Sequence, residues 1–179
     1  MERYFVVEEA MKVILFDLGD TLEHDGALRP GTLETLSRIG QLRDGNQERL
    51  EMGLVSDFQM PSEHDDISSI RQRYVEILEK LQIRIFFEPI EQRVTLSTDV
   101  GVFKPDPRVF RAALNKFEPA LSFANAMFVT ENKDHVEAAR GLGMQAIHLT
   151  SGQQSPGSIR QIIDLVPFVQ KFVAPPQHP

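Results

Sequence analysis

The chain has 179 residues, of which 41% are hydrophobic and 25% are charged, and its formal net charge is -7 at pH 7. This balance is typical of one globular domain of ordinary size, with enough apolar residues to bury a full core. The acidic charge argues against binding to a nucleic-acid backbone as the main function, because that function needs a concentrated basic surface.

Membrane and secretion signals are missing from the sequence. No stretch reaches the roughly 18 uninterrupted apolar residues of a membrane span, and the N-terminus lacks a basic region followed by an apolar one. The chain contains no cysteine, so it has no disulfide, thiolate metal site or thiol nucleophile, which fits a reducing compartment. The sequence therefore predicts a cytoplasmic protein that does not contact a membrane.

The first predicted element is a buried strand at Val13–Phe16, which stops at the acidic turn that begins with Asp17. A continuous apolar run favours a central parallel strand covered on both faces, although a buried helix segment has the same periodicity. Asp17 then follows the carboxyl end of the strand, where open parallel sheets bind ligands. The alternative is an Asp/Gly turn in which Asp17 only caps local backbone.

The rest of the chain alternates between strands and helices. Asp25-Gly26 predicts a hairpin and Pro30-Gly31 predicts a loop. Helices are predicted from Thr32 to about residue 44 and at about 67–81, 107–117, 136–142 and 159–173, and strands at 52–57, 93–97, 126–129 and 145–149. This alternation predicts a single α/β domain at residues 1–173, with a three-layer, mostly parallel Rossmann-like sheet and helices on both faces. Residues 174–179 are predicted to form a flexible tail.

Polar side chains follow four of the apolar segments. They are Asp17, Ser56 with Asp57, Lys104, and Glu131 with Asp134. Each has a structural interpretation when it is taken alone, since a serine can satisfy a loop, a loop lysine can be solvated, and an acid can lie at a helix N-terminus. Together, at the carboxyl edge of one parallel sheet, they predict a shared site for an anion and a metal ion.

These segments resemble the four motifs of the haloacid dehalogenase (HAD) superfamily, in the same order and at similar spacing over about residues 12–149. The first motif is similar to Asp17-Leu18-Gly19-Asp20-Thr21, the second to Leu54-Val55-Ser56-Asp57 and the third to Lys104-Pro105-Asp106-Pro107. The fourth is represented by a degenerate version, Thr130-Glu131-Asn132-Lys133-Asp134.

The resemblance implies a phosphomonoester hydrolase that forms an aspartyl-phosphate on Asp17. Lys104 would supply positive charge, and Ser56, Asp57 and Thr21 would contact the substrate together with Lys104. The cofactor would be Mg²⁺, and the resemblance implies as its ligands Asp17, the main-chain carbonyl of Gly19, and either Glu131 or Asp134. A receiver-type signalling domain shares this chemistry, but its phosphorylated aspartate lies on a middle strand, which does not match the order found here.

Gly19 departs from the family pattern, because phosphatases of the superfamily carry there a second aspartate that acts as general acid and base. Such a group contributes roughly 10²–10⁴-fold to the rate. Asp20 is the nearest substitute as a catalytic group, although a displacement of one residue in a tight turn directs its side chain elsewhere. The alternative function is therefore a catalytically impaired HAD-fold protein that binds a phosphate ligand or a protein partner without turnover.

The sequence leaves no room for a cap domain, which the family inserts between the first and second or the second and third motifs. Residues 22–52 accommodate a hairpin and one helix, and residues 57–99 a helix pair and a strand. An open site predicts a small-molecule or macromolecular phosphoester as substrate. The histidines do not have metal-ligand spacing and are assigned no role: His24, His64, His135 and His148.

Overall fold

The computed structural model describes residues 11–44 and 47–174, so the predicted tail lies almost entirely outside the described residues. The strands are β1 (Val13–Phe16), β2 (Glu23–His24), β3 (Ala27–Leu28), β4 (Glu51–Ser56), β5 (Val94–Leu96), β6 (Ala126–Thr130), β7 (Gln145–Leu149) and β8 (Ser158–Ile159). The helices are α1 (Thr32–Ile39), α2 (Ile67–Lys80), α3 (Ile90–Arg93), α4 (Ser97–Val100), α5 (Pro107–Leu114), α6 (Lys133–Gly141) and α7 (Leu165–Val173). Short 3-10 helices occur at Arg84–Phe87, Phe123–Asn125 and Ile162–Asp164.

Six strands form one parallel sheet in the order β5-β4-β1-β6-β7-β8, with β1 in the interior. The side chains of β1 alternate between two cores: Ile14 and Phe16 join one, and Val13 and Leu15 join the other. Helices α1, α2 and α7 cover the first face, and α5 and α6 cover the second. The predicted three-layer α/β fold is confirmed, because a strand buried on both faces requires helices on both sides.

The connections of the sheet are short. Between β1 and β4 the described chain forms the β2–β3 hairpin and α1, and between β4 and β5 it forms α2, a 3-10 helix and α3. Neither connection contains a cap domain within the described residues. The hairpin lies next to the turn that follows β1, since Gly19 forms an isolated bridge with Glu23.

The largest differences from the predicted helix boundaries are at the end of α1 and at the start of the last helix. Helix α1 ends at Ile39 rather than near residue 44, and its N-cap is Gly31 in the left-handed conformation (φ 83°). The hydroxyl of Thr32, the predicted start, instead donates to the carbonyl of Leu22 at 3.0 Å. The last predicted helix is in part a strand, since Ser158–Ile159 pairs in parallel with β7 and the α-helix starts only at Leu165.

No helix in the described part of the chain is both long and apolar enough to cross a membrane. The cytoplasmic location stays a prediction.

Candidate active site

Asp17 lies at the carboxyl end of β1 with its carboxylate held by three donors. Its own N–H donates to the carbonyl of Val129 at 3.0 Å, which continues the pairing of β1 with β6 beyond the strand. Oδ1 accepts the N–H of Leu18 at 2.9 Å. Oδ2 accepts from Nζ of Lys104 at 2.7 Å and from the hydroxyl of Thr130 at 3.3 Å. The carboxylate is therefore fixed at the point where the sequence predicted chemistry.

Lys104 reaches Asp17 from the loop that precedes α5. Its side chain is 0% exposed, and its Nζ also donates to the carbonyl of Val55 at 2.8 Å. The carboxylate of Asp57 accepts the backbone N–H of Lys104 at 2.8 Å. The start of α5 is fixed by Asp106, whose side chain accepts the N–H of Arg108. Asp57 thus anchors the backbone of Lys104 in this structure, whereas the sequence predicted it to contact the substrate.

Burial and neighbouring charges shift the pKa of Asp17. Burial raises the pKa of Asp17 above its ordinary range, the ammonium of Lys104 opposes that rise, and the charge of Glu131 adds to it. A buried carboxylate needs a compensating cation, because desolvation disfavours the charged form. Lys104 is that cation among the described residues.

Glu131 is bound to the first motif by threonine hydroxyls. The hydroxyl of Thr21 donates to Oε2 of Glu131 at 2.6 Å and accepts the N–H of Glu131 at 3.1 Å. The hydroxyl of Thr130 lies 3.2 Å from the same Oε2 and 3.3 Å from Oδ2 of Asp17. Thr21 is fully buried, so in this structure it positions Glu131, and its predicted contact with substrate stays a prediction.

Ser56 lies at the end of β4, the neighbour of β1. Its hydroxyl is 2.6 Å from the hydroxyl of Tyr74 on α2, and both residues are buried. Burial raises the pKa of Tyr74, so its hydroxyl keeps its proton at all ordinary pH values. The pair supplies hydroxyl groups beside the turn that follows Asp17.

Gly19 and Asp20 are exposed, unlike the buried pair of Asp17 and Lys104. Asp20 has a left-handed backbone (φ 54°), and its carboxylate lies 2.5 Å from Nδ1 of His24 on the hairpin. This hydrogen bond raises the pKa of His24. The predicted substitute acid is thus paired with a histidine, and no contact within the described residues joins it to Asp17.

The fourth motif brings His135 rather than Asp134 next to Asp17. The side chain of Asn132 caps α6 by accepting the N–H groups of Asp134 and His135. Asp134 is exposed, whereas Nδ1 of His135 lies 4.0 Å from Oδ2 of Asp17 and has no hydrogen-bond partner among the described residues. Burial and the charge of Lys104 lower the pKa of His135.

His135 was not among the predicted site residues, because the histidines of the sequence do not have metal-ligand spacing. The available signal was its place in the first turn of a helix that follows a central strand, since such turns face the ligand crevice. Asp134, the adjacent residue, lies on a different side of the helix because successive residues are rotated by about 100°.

The donor set for a metal ion consists of two carboxylates, those of Asp17 and Glu131, with the Thr130 hydroxyl between them. In the described ranges, no group of three or more histidine or acidic side chains is arranged to hold a metal. Mg²⁺ commonly uses one or two carboxylates together with carbonyls, waters and substrate phosphate. These residues therefore fit a magnesium site that a phosphate ligand completes, and they do not form a complete cage of side chains.

Neither a family model nor a curated protein sequence matches the chain. Solved structures do match. The haloacid dehalogenase-like family hydrolase of Streptococcus pneumoniae has a TM-score of 0.61 at 12% identity, over 88% of this chain and 98% of that one. The core domain of a protein from the same species, assigned as a phosphoglycolate phosphatase, has a TM-score of 0.58 at 19% identity, over 90% and 97%.

A longer protein is also similar. YfnB of Bacillus subtilis, assigned as a HAD hydrolase and solved bound to magnesium, has a TM-score of 0.58 at 15% identity. The match covers 79% of this chain, which spans only 56% of the length of YfnB. Together with the parallel sheet and the position of Asp17, these similarities confirm the fold predicted from the four motifs. The chain has the haloacid dehalogenase-like fold.

Proposed function

We propose that the chain is a magnesium-dependent phosphomonoester hydrolase that works through an aspartyl-phosphate on Asp17. The observation that carries the proposal is the buried carboxylate of Asp17 at the end of the central strand, paired at 2.7 Å with a lysine whose side chain is 0% exposed. A carboxylate nucleophile and a fixed cation beside it are the groups that phosphoryl transfer to an aspartate needs. The similarity to HAD hydrolases supports a hydrolase of this class.

The chemistry has two steps. Oδ1 of Asp17, which accepts only the Leu18 N–H among the described contacts, attacks phosphorus as the bond between phosphorus and the ester oxygen breaks. The leaving alkoxide takes up a proton from solvent water, since no side chain is assigned as its acid. Water then attacks phosphorus and displaces the Asp17 carboxylate, which releases inorganic phosphate and restores the enzyme.

The positive charge of Lys104 stabilises the negative charge that develops on the phosphoryl oxygens, and the Ser56 hydroxyl donates a hydrogen bond to them. Asp17, the carbonyl of Gly19 and Glu131 would hold Mg²⁺. When bound, the ion neutralises phosphate charge and so makes attack by a carboxylate easier. The substrate that we propose is a small-molecule or macromolecular phosphoester, since the site is open.

The second candidate function, binding of a phosphate ligand or protein partner without turnover, is favoured by one specific observation. Gly19 has no side chain to protonate the leaving group, and the carboxylate of Asp20 is bound to His24. Turnover by the wild-type chain is accordingly expected to be slow for alkyl phosphates, whose leaving groups need a proton.

The test is release of inorganic phosphate from an aryl phosphate in the presence of Mg²⁺, because an aryl leaving group depends least on an acid. We expect a rate above that of Asp17→Asn, with Asp65→Asn as the matched control, since Asp65 lies on an exposed loop where it accepts hydrogen bonds from Ser62. Equal rates for wild type and Asp17→Asn would refute the hydrolase and leave the binding function.

A further inference from the structure

A cleft of about 280 Å³ begins at the turn after Asp17 and runs along α2. At roughly 30 Å³ per water molecule it holds about nine waters, the space of a small organic group. Gly19, in the turn after Asp17, and Ser56, at the end of β4, are among its lining residues. Its walls are the apolar side chains of Leu18, Phe58, Tyr74, Ile77 and Leu81.

The wall on the side of α2 is rigid. Tyr74, Ile77 and Leu81 recur at intervals of three and four residues, so they lie on one face of the helix. Tyr74 is 2% exposed, packs edge-to-face against Phe58 with ring centroids 5.1 Å apart, and is hydrogen-bonded to Ser56. Because these side chains are held by the core, the apolar wall is present before any ligand binds.

The charged residues that line the cleft are two acids and one lysine: Glu23, Asp57 and Lys80. Lys80 is exposed, and the carboxylate of Glu23 accepts the N–H of Gly26 at 2.9 Å. The carboxylate of Asp57 accepts the backbone N–H of Lys104 at 2.8 Å. The lining thus carries more negative than positive charge, which disfavours a second anionic group. The apolar walls favour an uncharged group, at about 25 cal/mol for each Å² of apolar surface removed from water.

We propose that this cleft binds the leaving group of the substrate, and that this group is apolar, an alkyl chain or a single ring system. The inference rests on the proposed function, because the cleft is lined by Leu18 and Gly19 of the turn that would receive the phosphoryl group, and by Ser56. It goes further by selecting the substrate class: apolar phosphomonoesters rather than sugar phosphates or bisphosphates.

The experiment measures binding rather than turnover. Ethylphosphonate and hexylphosphonate, which contain no ester bond to hydrolyse, are titrated in Mg²⁺ by calorimetry. Each buried methylene is worth roughly a four-fold change in Kd, so hexylphosphonate is expected to bind at least about ten-fold more tightly even when its four extra methylenes are only partly buried.

The position of the bound alkyl chain of hexylphosphonate is tested by fluorescence and by substitution. The protein has no tryptophan and two tyrosines, so in a Tyr4→Phe background Tyr74 is the only strong fluorophore, and its emission should change with hexylphosphonate. Ile77→Glu should reduce the preference for hexylphosphonate over ethylphosphonate to below about three-fold, and the milder Ile77→Gln replaces it if the first variant fails to fold. Ile85→Glu is the matched control, because Ile85 is 77% exposed and outside the cleft.

The outcomes separate the two proposals. A preference for hexylphosphonate that Ile77→Gln removes and Ile85→Glu preserves supports the cleft, whether or not any ester is hydrolysed. Equal affinity for both phosphonates, absence of binding, or a preference that survives both Ile77 variants overturns it. Hydrolysis of aryl phosphates combined with equal affinity for ethylphosphonate and hexylphosphonate would support the hydrolase and refute only the apolar leaving-group site.

Discussion

A carboxyl group introduced by Gly19→Asp is expected to convert a slow phosphatase into a faster one. The backbone accepts the change, since Gly19 is not in the left-handed conformation and a Cβ built there meets only Oε1 of Glu23 within 4 Å, at 3.8 Å. That distance is an ordinary van der Waals contact. The variant should therefore fold without a steric cost, and the like charge of Glu23 should lower its stability only at pH values where the new carboxyl is ionised.

The size of the effect follows from what a general acid contributes, roughly 10²–10⁴-fold in rate or about 3–5 kcal/mol of barrier. The neighbouring Glu23 favours the new function, because a like charge raises the pKa of the introduced carboxyl and keeps more of it protonated near neutral pH. The gain should decline as the pH rises above that pKa, since the deprotonated carboxyl has no proton to donate.

The assay compares an alkyl phosphate with an aryl phosphate, in Mg²⁺, for wild type, Gly19→Asp and the isosteric control Gly19→Asn. The gain from Gly19→Asp should be larger for the alkyl ester, because an alkoxide needs a proton more than a phenolate does. Equal rates for Gly19→Asp and Gly19→Asn, or an equal gain for both esters, would refute the assignment of Gly19 as the missing acid position.

Three further substitutions test the contacts that hold the site. Lys104→Met should reduce the free energy of unfolding by about 3–5 kcal/mol at neutral pH, because it leaves the buried Asp17 without its cation. That loss should be complete above the folded-state pKa of Asp17 in the variant, which is higher than in the wild type because Lys104 no longer lowers it. The loss should disappear as the pH falls to the ordinary carboxyl range. Urea unfolding against pH measures it, and a loss that persists in acid would contradict the reasoning. Thr21→Val should cost about 1–3 kcal/mol in urea unfolding, because the N–H of Glu131 loses its acceptor; an unchanged midpoint would count against the contact. Asn132→Ala should lower the free energy of unfolding by about 1 kcal/mol, because α6 loses its cap, whereas Asn132→Asp should keep most of the cap's contribution. Thermal unfolding of the two variants compares them.

The strand that carries Asp17 is predictable because its signal is local. Four apolar residues followed by an acidic turn specify burial on both faces, and the structure has all four at 1% exposure or less. The end of β4 at Ser56 is predictable for the same reason, since an abrupt change from apolar to polar residues marks the edge of the sheet. The loop that contains Lys104 is predictable from Pro105 and Pro107, which exclude a regular strand and suit a helix start, and Pro107 is the first residue of α5.

Other parts of the molecule depend on contacts that sequence patterns do not contain. The two residues of β8 are a strand only because His148 and Leu149 provide a partner, and in the sequence Ile159 continues the apolar pattern of the last helix. His135 comes near Asp17 through the rotation of α6 on the sheet, which depends on packing. The pairing of Asp20 with His24 likewise depends on how the hairpin folds back, which the sequence pattern does not show.

The lysine of the site is held independently of the group that it neutralises. Val55 accepts one hydrogen bond from its ammonium and Asp57 accepts one from its backbone, so two of its attachments lead to β4 and neither involves Asp17. In the proposed reaction the carboxylate would lose its charge by accepting a phosphoryl group, and these attachments would keep the cation in place. Little reorganisation energy would then be needed within the protein, which is the condition under which a fixed charge contributes most to a transition state.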